Sequence, residues 1–289
     1  MPSTNDILLR IRRLEIKAKG LTHQLFSGEY QSAFKGRGMA FSEVREYQLG
    51  DEVRTIDWNV TARHNQPYVK VFEEERELTV ILLIDLSGSE WFGMNQHTKR
   101  DLLIEIAAIL AFSAVENKDK VGAIFTSDKV EKYIAPGKGK KHAMMLLHQL
   151  LAWDGQAGKT HLGAGLRFLQ QTQKKRSIAF VISDFYDEQF LEDLKLARKK
   201  HDLVAIQLSD AAERELPNLG IVQMVHPETG ETQWVNTADA SVRKAYRNQF
   251  KVHEESRSNE FRRLGIDHTC IDTEADLIPA LVKLFQHRR

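Results

Sequence analysis

Short apolar runs alternate with longer amphipathic stretches over most of this chain. Leu78 to Ile84, Val121 to Thr126, Ser177 to Ser183, Leu203 to Leu208 and His268 to Asp272 have strand length and are rich in aliphatic residues. Apolar positions recur at helical spacing in Lys99 to Glu116, His142 to Ala152, Leu162 to Gln173, Phe190 to Lys200, Asp239 to Leu264 and Leu277 to His287. Continuous apolar strands need cover on both faces, and intervening helices supply it. The pattern therefore predicts an α/β domain over residues 77–289, built on a doubly wound, mostly parallel sheet. Inside it, Val222 to Val235 holds a turn between two β-like runs, which predicts an antiparallel hairpin at a sheet edge.

Residues 1–76 have a different texture. Ile7, Leu8, Ile11 and Leu14 lie at helical spacing, with Arg10, Arg12, Arg13 and Lys17 on the other faces. That basic face is expected to be solvated, with contact to a membrane or an acidic partner as the alternative. From Gly20 to Phe72, glycines, aromatics and charges alternate in short segments, and turn signals stand at Gly36-Arg37-Gly38 and Gly50-Asp51. Tyr68 to Phe72 reads as a strand, and the segment as a small β-rich module. A charged bridge, Glu73 to Glu77, leads into the α/β domain.

Composition narrows the function classes. At 289 residues with a net charge of +1, the chain is long enough for a full core and carries no global field directed at nucleic acid or an anionic membrane. Cys270 is the single cysteine and is expected to be a small core residue of the last strand. No apolar stretch near the N-terminus reads as a signal peptide and none is long enough to span a bilayer, so the cytoplasm is the expected location. The 11 histidines are scattered without zinc spacing, and no Gly-x-Ser-x-Gly elbow is present.

The chemistry concentrates at strand ends. The first α/β strand closes on Asp85, followed by a turn carrying Ser87 and Ser89. Carboxylate and hydroxyl oxygens are the donors Mg²⁺ and Mn²⁺ take, and strand ends are where open α/β sheets place ligands. Downstream, Thr160 lies in a loop entering a helix, and Asp184 closes another apolar strand. Neighbouring parallel strand ends would bring Asp85 and Asp184 together, with Thr160 reaching in from the loop.

This set resembles the von Willebrand factor A domain and its metal-ion-dependent adhesion site. That pattern is Asp-x-Ser-x-Ser, a loop Thr and a strand-end Asp, matched here by Asp85, Ser87, Ser89, Thr160 and Asp184. The resemblance implies a Mg²⁺ or Mn²⁺ bound directly by the two serines. Thr160 and the carboxylates would bind directly or through water, and one position would stay open for water or a partner's carboxylate. The segment Gly36 to Arg63 adds Phe41-x-Glu43-x-Arg45-x-Tyr47, Gly50-Asp51, Arg54-x-Ile56-Asp57-Trp58 and Ala62-Arg63. It resembles the domain-of-unknown-function 58 family, whose members carry such a segment before an A-type domain. That resemblance implies association with MoxR-type AAA+ ATPases, in systems thought to mature or assemble other proteins. Glu90 stands where many relatives have Met. It could repel an acidic ligand, join the outer shell of the metal, bind a basic partner or simply face solvent.

The charged residues Glu43, Arg45, Asp51, Arg54, Asp57 and Arg63 are expected to form ion pairs that fix the small module, and Trp58 to anchor its core. Gly155 to Thr160 imitates a P-loop, but Trp153 takes the place of the first glycine and a helix precedes it, so ATP binding is rejected there. Lys138, Lys140 and Lys141 form a basic turn, read as a solvated helix entry. His161 is read as a surface loop residue. The expectation is thus a non-enzymatic interaction module, a metal-dependent adaptor for a MoxR-type ATPase or its client. The alternative is a Mg²⁺-dependent phosphoryl hydrolase using Asp85, although Ser87 stands where such an enzyme wants a second carboxylate.

Overall fold

A computed structural model of the chain describes residues 9–16, 40–64, 66–73, 77–88, 98–154, 160–187, 189–225 and 232–286. The chain forms two units, Phe34–Leu78 and Met1–Ala33 with Thr79–Arg289. The smaller unit is thus narrower than the 1–76 module expected from sequence. Helical residues 9–16 group with the larger unit, because Ile11 and Leu14 are buried there and Lys140 Nζ donates to Glu15 Oε1 at 2.6 Å. Ile7 and Leu8 lie outside the described residues.

In the smaller unit, β1 (Ala40–Glu46) pairs antiparallel with β2 (Tyr68–Glu73). A helix, Trp58–His64, follows Asp57, whose Oδ1 accepts the Asn59 and Val60 backbone N–H groups at 2.9 and 3.2 Å. Arg45 grips Asp51 with both terminal nitrogens, at 2.7 and 2.8 Å. That fork, with the Gln48 N–H at 2.8 Å, holds the Asp51 carboxyl well below the ordinary carboxylate range. Lys70 approaches Asp57 at 3.5 Å, while Glu43, Arg54 and Arg63 are exposed. The expected core role of Trp58 is overturned, since the residue is 67% exposed. Among the side chains of this unit whose burial is described, Val69 is the buried hydrophobic one.

The larger unit is built on β3 (Thr79–Asp85), β4 (Lys120–Thr126), β5 (Val130–Gly137), β6 (Ile178–Ser183) and β7 (Asp202–Ser209). Further along are β8 (Ile221–Val225), β9 (Thr232–Asn236) and β10 (Asp267–Asp272). Six of these form one sheet in the order β10-β7-β6-β3-β4-β5, parallel except for the antiparallel edge strand β5. This is the doubly wound, mostly parallel sheet expected from the alternation of elements. Sequence reading missed β5, whose half-exposed, charged stretch hides its period. β8 and β9 pair antiparallel as expected, but form a sheet of their own instead of extending an edge. Their turn lies outside the described residues.

Side chains alternate across β3. Ile81 and Leu83 join Ala179 and Val181 under helices Leu162–Thr172 and Leu191–Lys200 and under Phe261 of helix Ala240–Arg263. Phe180 meets Phe285 of helix Leu277–Gln286 edge-on, at 6.2 Å between ring centres. Helix Lys99–Glu116 packs on β3, β4 and β7 and on helix Gly139–Leu151, and is buried nearly all round. Thr98 and Asp101 form a reciprocal capping box that fixes its first turn. Cys270, expected in the core, is half-buried on β10, with its thiol pushed up by burial. Among the described residues no helix is long and apolar enough to cross a membrane.

His201 closes helix Leu191–Lys200 and is fully buried, with Nδ1 2.9 Å from Ser177 Oγ and Nε2 without a partner. Burial, with Lys200 nearby, lowers its pKa from 6.5 to about 4. The folded chain keeps the ring neutral where the unfolded chain protonates it. Its contribution to stability is complete above pH 6.5 and is lost as the pH falls toward about 4. An NMR titration of the folded protein should place the His201 midpoint near 4; a midpoint near 6.5 would mean the ring reaches water.

Candidate functional site

β3 and β6 are neighbours in the sheet, yet the chain leaves β3 toward β4 on its other side. Such a reversal opens a crevice at the carboxyl ends of the strands. β3 ends on Asp85. Ile84 lies opposite Ile182, so Asp85 falls beside Ser183, and Asp184 follows at once. Parallel pairing thus brings together the two carboxylates expected to meet. Both are buried.

Ser183 donates its hydroxyl to Asp85 Oδ2 at 2.6 Å, and the Ser87 backbone N–H reaches Asp85 Oδ1 at 3.0 Å. Burial, then the adjacent Asp184, push the Asp85 carboxyl up to about 7; the bonds from Ser183 and Ser87 offset only part of this. Asp184 is set by a strained turn. Phe185 has φ 58°, a left-handed conformation uncommon for a bulky residue. Its ring is locked against Phe261 and Phe190, at 5.1 and 5.6 Å between centres. Its N–H bonds Ser183 Oγ at 3.0 Å, and the Tyr186 N–H bonds Asp184 Oδ1 at 3.2 Å.

Thr160 arrives from the other side. Helix Leu162–Thr172 lies close on the sheet because Gly165 has no Cβ; one there would come within 3.3 Å of Leu83 and Thr126 side-chain atoms. The His161 N–H bonds the Ser127 carbonyl at 2.8 Å, just past the end of β4, where Thr126 is level with Asp85. These anchors hold Thr160 at the same end of the sheet as the two carboxylates. Thr160 is buried, and its hydroxyl has no hydrogen-bond partner among the described residues. An unsatisfied buried hydroxyl costs about 1–3 kcal/mol. Asp187 ties the two loops together: its Oδ2 accepts the Leu162 N–H at 3.1 Å and lies 3.9 Å from His161 Nδ1. Arg257, itself buried, donates to the Asp187 carbonyl at 3.2 Å.

A cation sits beside the pair. Lys99 is fully buried, and its Nζ lies 3.1 Å from Asp184 Oδ2 and 2.5 Å from Glu213 Oε1. The same ammonium is 5.7 Å from the centre of the Tyr186 ring. Burial raises the Glu213 pKa, and Lys99 opposes that shift. Tyr186 is also held protonated by burial and by Glu213.

Of the expected metal residues, Asp85, Ser87, Thr160 and Asp184 are described, and all are buried. Ser89 and Glu90 lie outside the described residues, as do residues 155–159 of the P-loop-like segment. Among the described residues no three His, Cys, Asp or Glu side chains gather as a metal cluster. A divalent ion here would draw on hydroxyls as well as carboxylates, an all-oxygen set suited to Mg²⁺ or Mn²⁺. Sequence reading missed Lys99, Glu213, Ser183 and Asp187. Lys99 looked like an ordinary helix start. Ser183 and Asp187 flank Asp184 in the sequence, so the end of that strand is the signal that points to them.

A family model described as a protein of unknown function, DUF58, matches residues 43–256. The protein Rv1480 of Mycobacterium tuberculosis is 27% identical over 282 residues, covering 96% of this chain and 89% of its own. Among solved structures, BatB from Bacteroides thetaiotaomicron has 14% identity and a TM-score of 0.47, covering 73% of this chain and 98% of that one. The VWA domain of SpRpn10 has 12% identity and a TM-score of 0.38 at the same coverage, 73% and 98%.

Asp187 acts from outside as the cap of helix Leu162–Thr172, since the N-cap residue His161 makes no side-chain cap bond. Asp187→Ala should therefore cost about 1 kcal/mol in urea unfolding. Amide exchange should rise at Leu162; unchanged protection there would show that the tie is dispensable.

Proposed function

The chain belongs to the DUF58 family, and on that premise we propose that its larger unit is a non-enzymatic protein-interaction module whose docking surface is the carboxyl edge of the sheet. In this reading Mg²⁺ or Mn²⁺ is held by Asp85, Ser87, Ser89, Thr160 and Asp184. The bound ion supplies a Lewis-acidic position that a partner's carboxylate can complete. The observation that carries the reading is the buried hydroxyl of Thr160, without a partner among the described residues, at the same end of the sheet as a crowded carboxylate pair. A buried hydroxyl without a partner and a carboxyl pushed toward neutrality are both relieved by one cation. The partner, in keeping with the family resemblance, is a MoxR-type AAA+ ATPase or its client, with this chain as adaptor in protein maturation or assembly.

Hydrolysis at Asp85 is the weaker reading. Ser183 and Ser87 already bond the two oxygens of Asp85, and Ser87 occupies the place where a general acid is wanted.

Two variants test the proposal. Thr160→Val removes the unpartnered hydroxyl at nearly constant volume. Without metal it should be as stable as the parent or up to about 1–3 kcal/mol more stable. With millimolar Mg²⁺ the parent should gain thermal stability and the variant should gain less. Equal stabilisation of both by Mg²⁺ would remove Thr160 from the site. Asp85→Ala should abolish Mg²⁺-dependent capture of the cognate ATPase or client while leaving the circular dichroism spectrum unchanged. Capture indifferent to both chelator and Asp85→Ala would overturn the docking model, and Mg²⁺-dependent turnover of a phosphoryl substrate would favour the hydrolase.

A further inference from the structure

The ammonium of Lys99 occupies an unusual position. It enters from the first turn of helix Lys99–Glu116, is fully buried, and touches one carboxylate of the proposed metal set and one outside it. A buried lysine persists only where carboxylates neutralise it. Here the nearer oxygen belongs to Glu213, at 2.5 Å, and the farther to Asp184, at 3.1 Å. Asp184 Oδ1 is meanwhile engaged by the Tyr186 N–H. Lys99 therefore holds the Asp184 oxygen that the Tyr186 N–H does not take.

We propose that Lys99 is a built-in cation that competes with a divalent ion for Asp184, with Glu213 as the alternative holder that receives the ammonium when the ion binds. The inference rests on the metal reading above and assigns a regulatory pair, Lys99 and Glu213, that lies outside the set of ligands. The surroundings suit an exchange. Glu213 belongs to the short helix Ala211–Arg214 beyond β7, whereas Asp184 ends β6, so the ammonium bridges two strand ends. Glu213 is anchored independently of Lys99, since its Oε2 accepts the Asp210 N–H at 3.1 Å. Tyr186 offers a ring face to the ammonium on the same side. Lys99 can thus shift its weight from Asp184 to Glu213 without being stranded in an apolar place. Two positive charges contesting one buried carboxylate make metal affinity lower than the ligands alone would give. Occupancy is then set by how firmly Glu213 keeps the lysine.

The test is Mn²⁺ binding to the full chain, read from the electron paramagnetic resonance signal of free Mn²⁺, with thermal melts to check folding. Lys99→Met should bind Mn²⁺ about tenfold tighter or more, because a nearby positive charge is removed. Glu213→Gln should bind it more weakly, because the ammonium falls back on Asp184. In the Lys99→Met background, Glu213→Gln should lose most of its effect, since its influence passes through the lysine. A merely structural lysine would give weaker binding in Lys99→Met, or none of the coupling. If the parent binds Mn²⁺ and folded Lys99→Met binds it no tighter, the competition is overturned and the metal reading stands. If Lys99→Met does not fold, an unchanged or tighter affinity in Glu213→Gln overturns it. If neither the parent nor folded Lys99→Met binds Mn²⁺, both ideas fall together.

Discussion

Parallel pairing of β3 with β6 forces two carboxylates into one buried corner, and the surroundings of that corner follow from what this costs. Two like charges out of water repel strongly, and neither can be left bare. The chain meets the problem in a different way at each. Asp85 takes hydrogen bonds from Ser183 and Ser87 and is pushed toward its neutral form. Asp184 keeps a lysine beside it. The division is unequal because the two residues leave their strands differently. Asp85 is the last residue of its strand and is held in register, whereas Asp184 is carried on a left-handed turn toward the helix that bears Lys99.

That helix explains how a charge is delivered to the interior with so little freedom. Helix Lys99–Glu116 is apolar on nearly every side, so it is fixed by burial on the sheet and on its neighbour helix. Its capping box sets the first turn, and Lys99 is the residue directly after the cap. The local rule that starts a helix therefore also aims a cation. Helix Leu162–Thr172 is positioned by a comparable economy: Gly165 lets it lie close to β3 and β4, and Asp187 caps it from the loop that follows Asp184. A single loop thus sets one carboxylate and the helix entry that carries Thr160.

What the sequence disclosed and what it hid have physical causes. Buried parallel strands read as unbroken apolar runs, so β3, β6 and their terminal acids were visible, and the sheet type followed from alternation with helices. Thr160 stands out by its place in a loop between the two strand-end acids, but nothing in that loop marks its hydroxyl as buried. β5 was hidden by its edge position, where Lys132 and Glu131 interrupt the period. Lys99 was hidden because its meaning lies in partners remote along the chain: Asp184 is 85 residues away, and Glu213 sits on another short helix. Trp58 misled for a related reason. An aromatic in a motif suggests a core, but among the side chains of its unit whose burial is described, Val69 is the buried hydrophobic one.

Elsewhere in the larger unit the six-stranded sheet and its helices bury their apolar faces, although β8 and β9 leave Ile221, Val225 and Trp234 exposed and buried His201 keeps one ring nitrogen without a partner among the described residues. Four departures from local rules meet at the carboxyl edge of β3, β6 and β7. They are a buried lysine, a carboxyl pushed toward its neutral form, a left-handed phenylalanine and a hydroxyl without a partner among the described residues. Each is unfavourable alone, and folding selection would remove any of them by an ordinary substitution. Their common location is the topological switch point, where open α/β sheets place ligands. The docking proposed above would relieve them together, because a cation there would take up the hydroxyl of Thr160 and offset the crowded carboxylates.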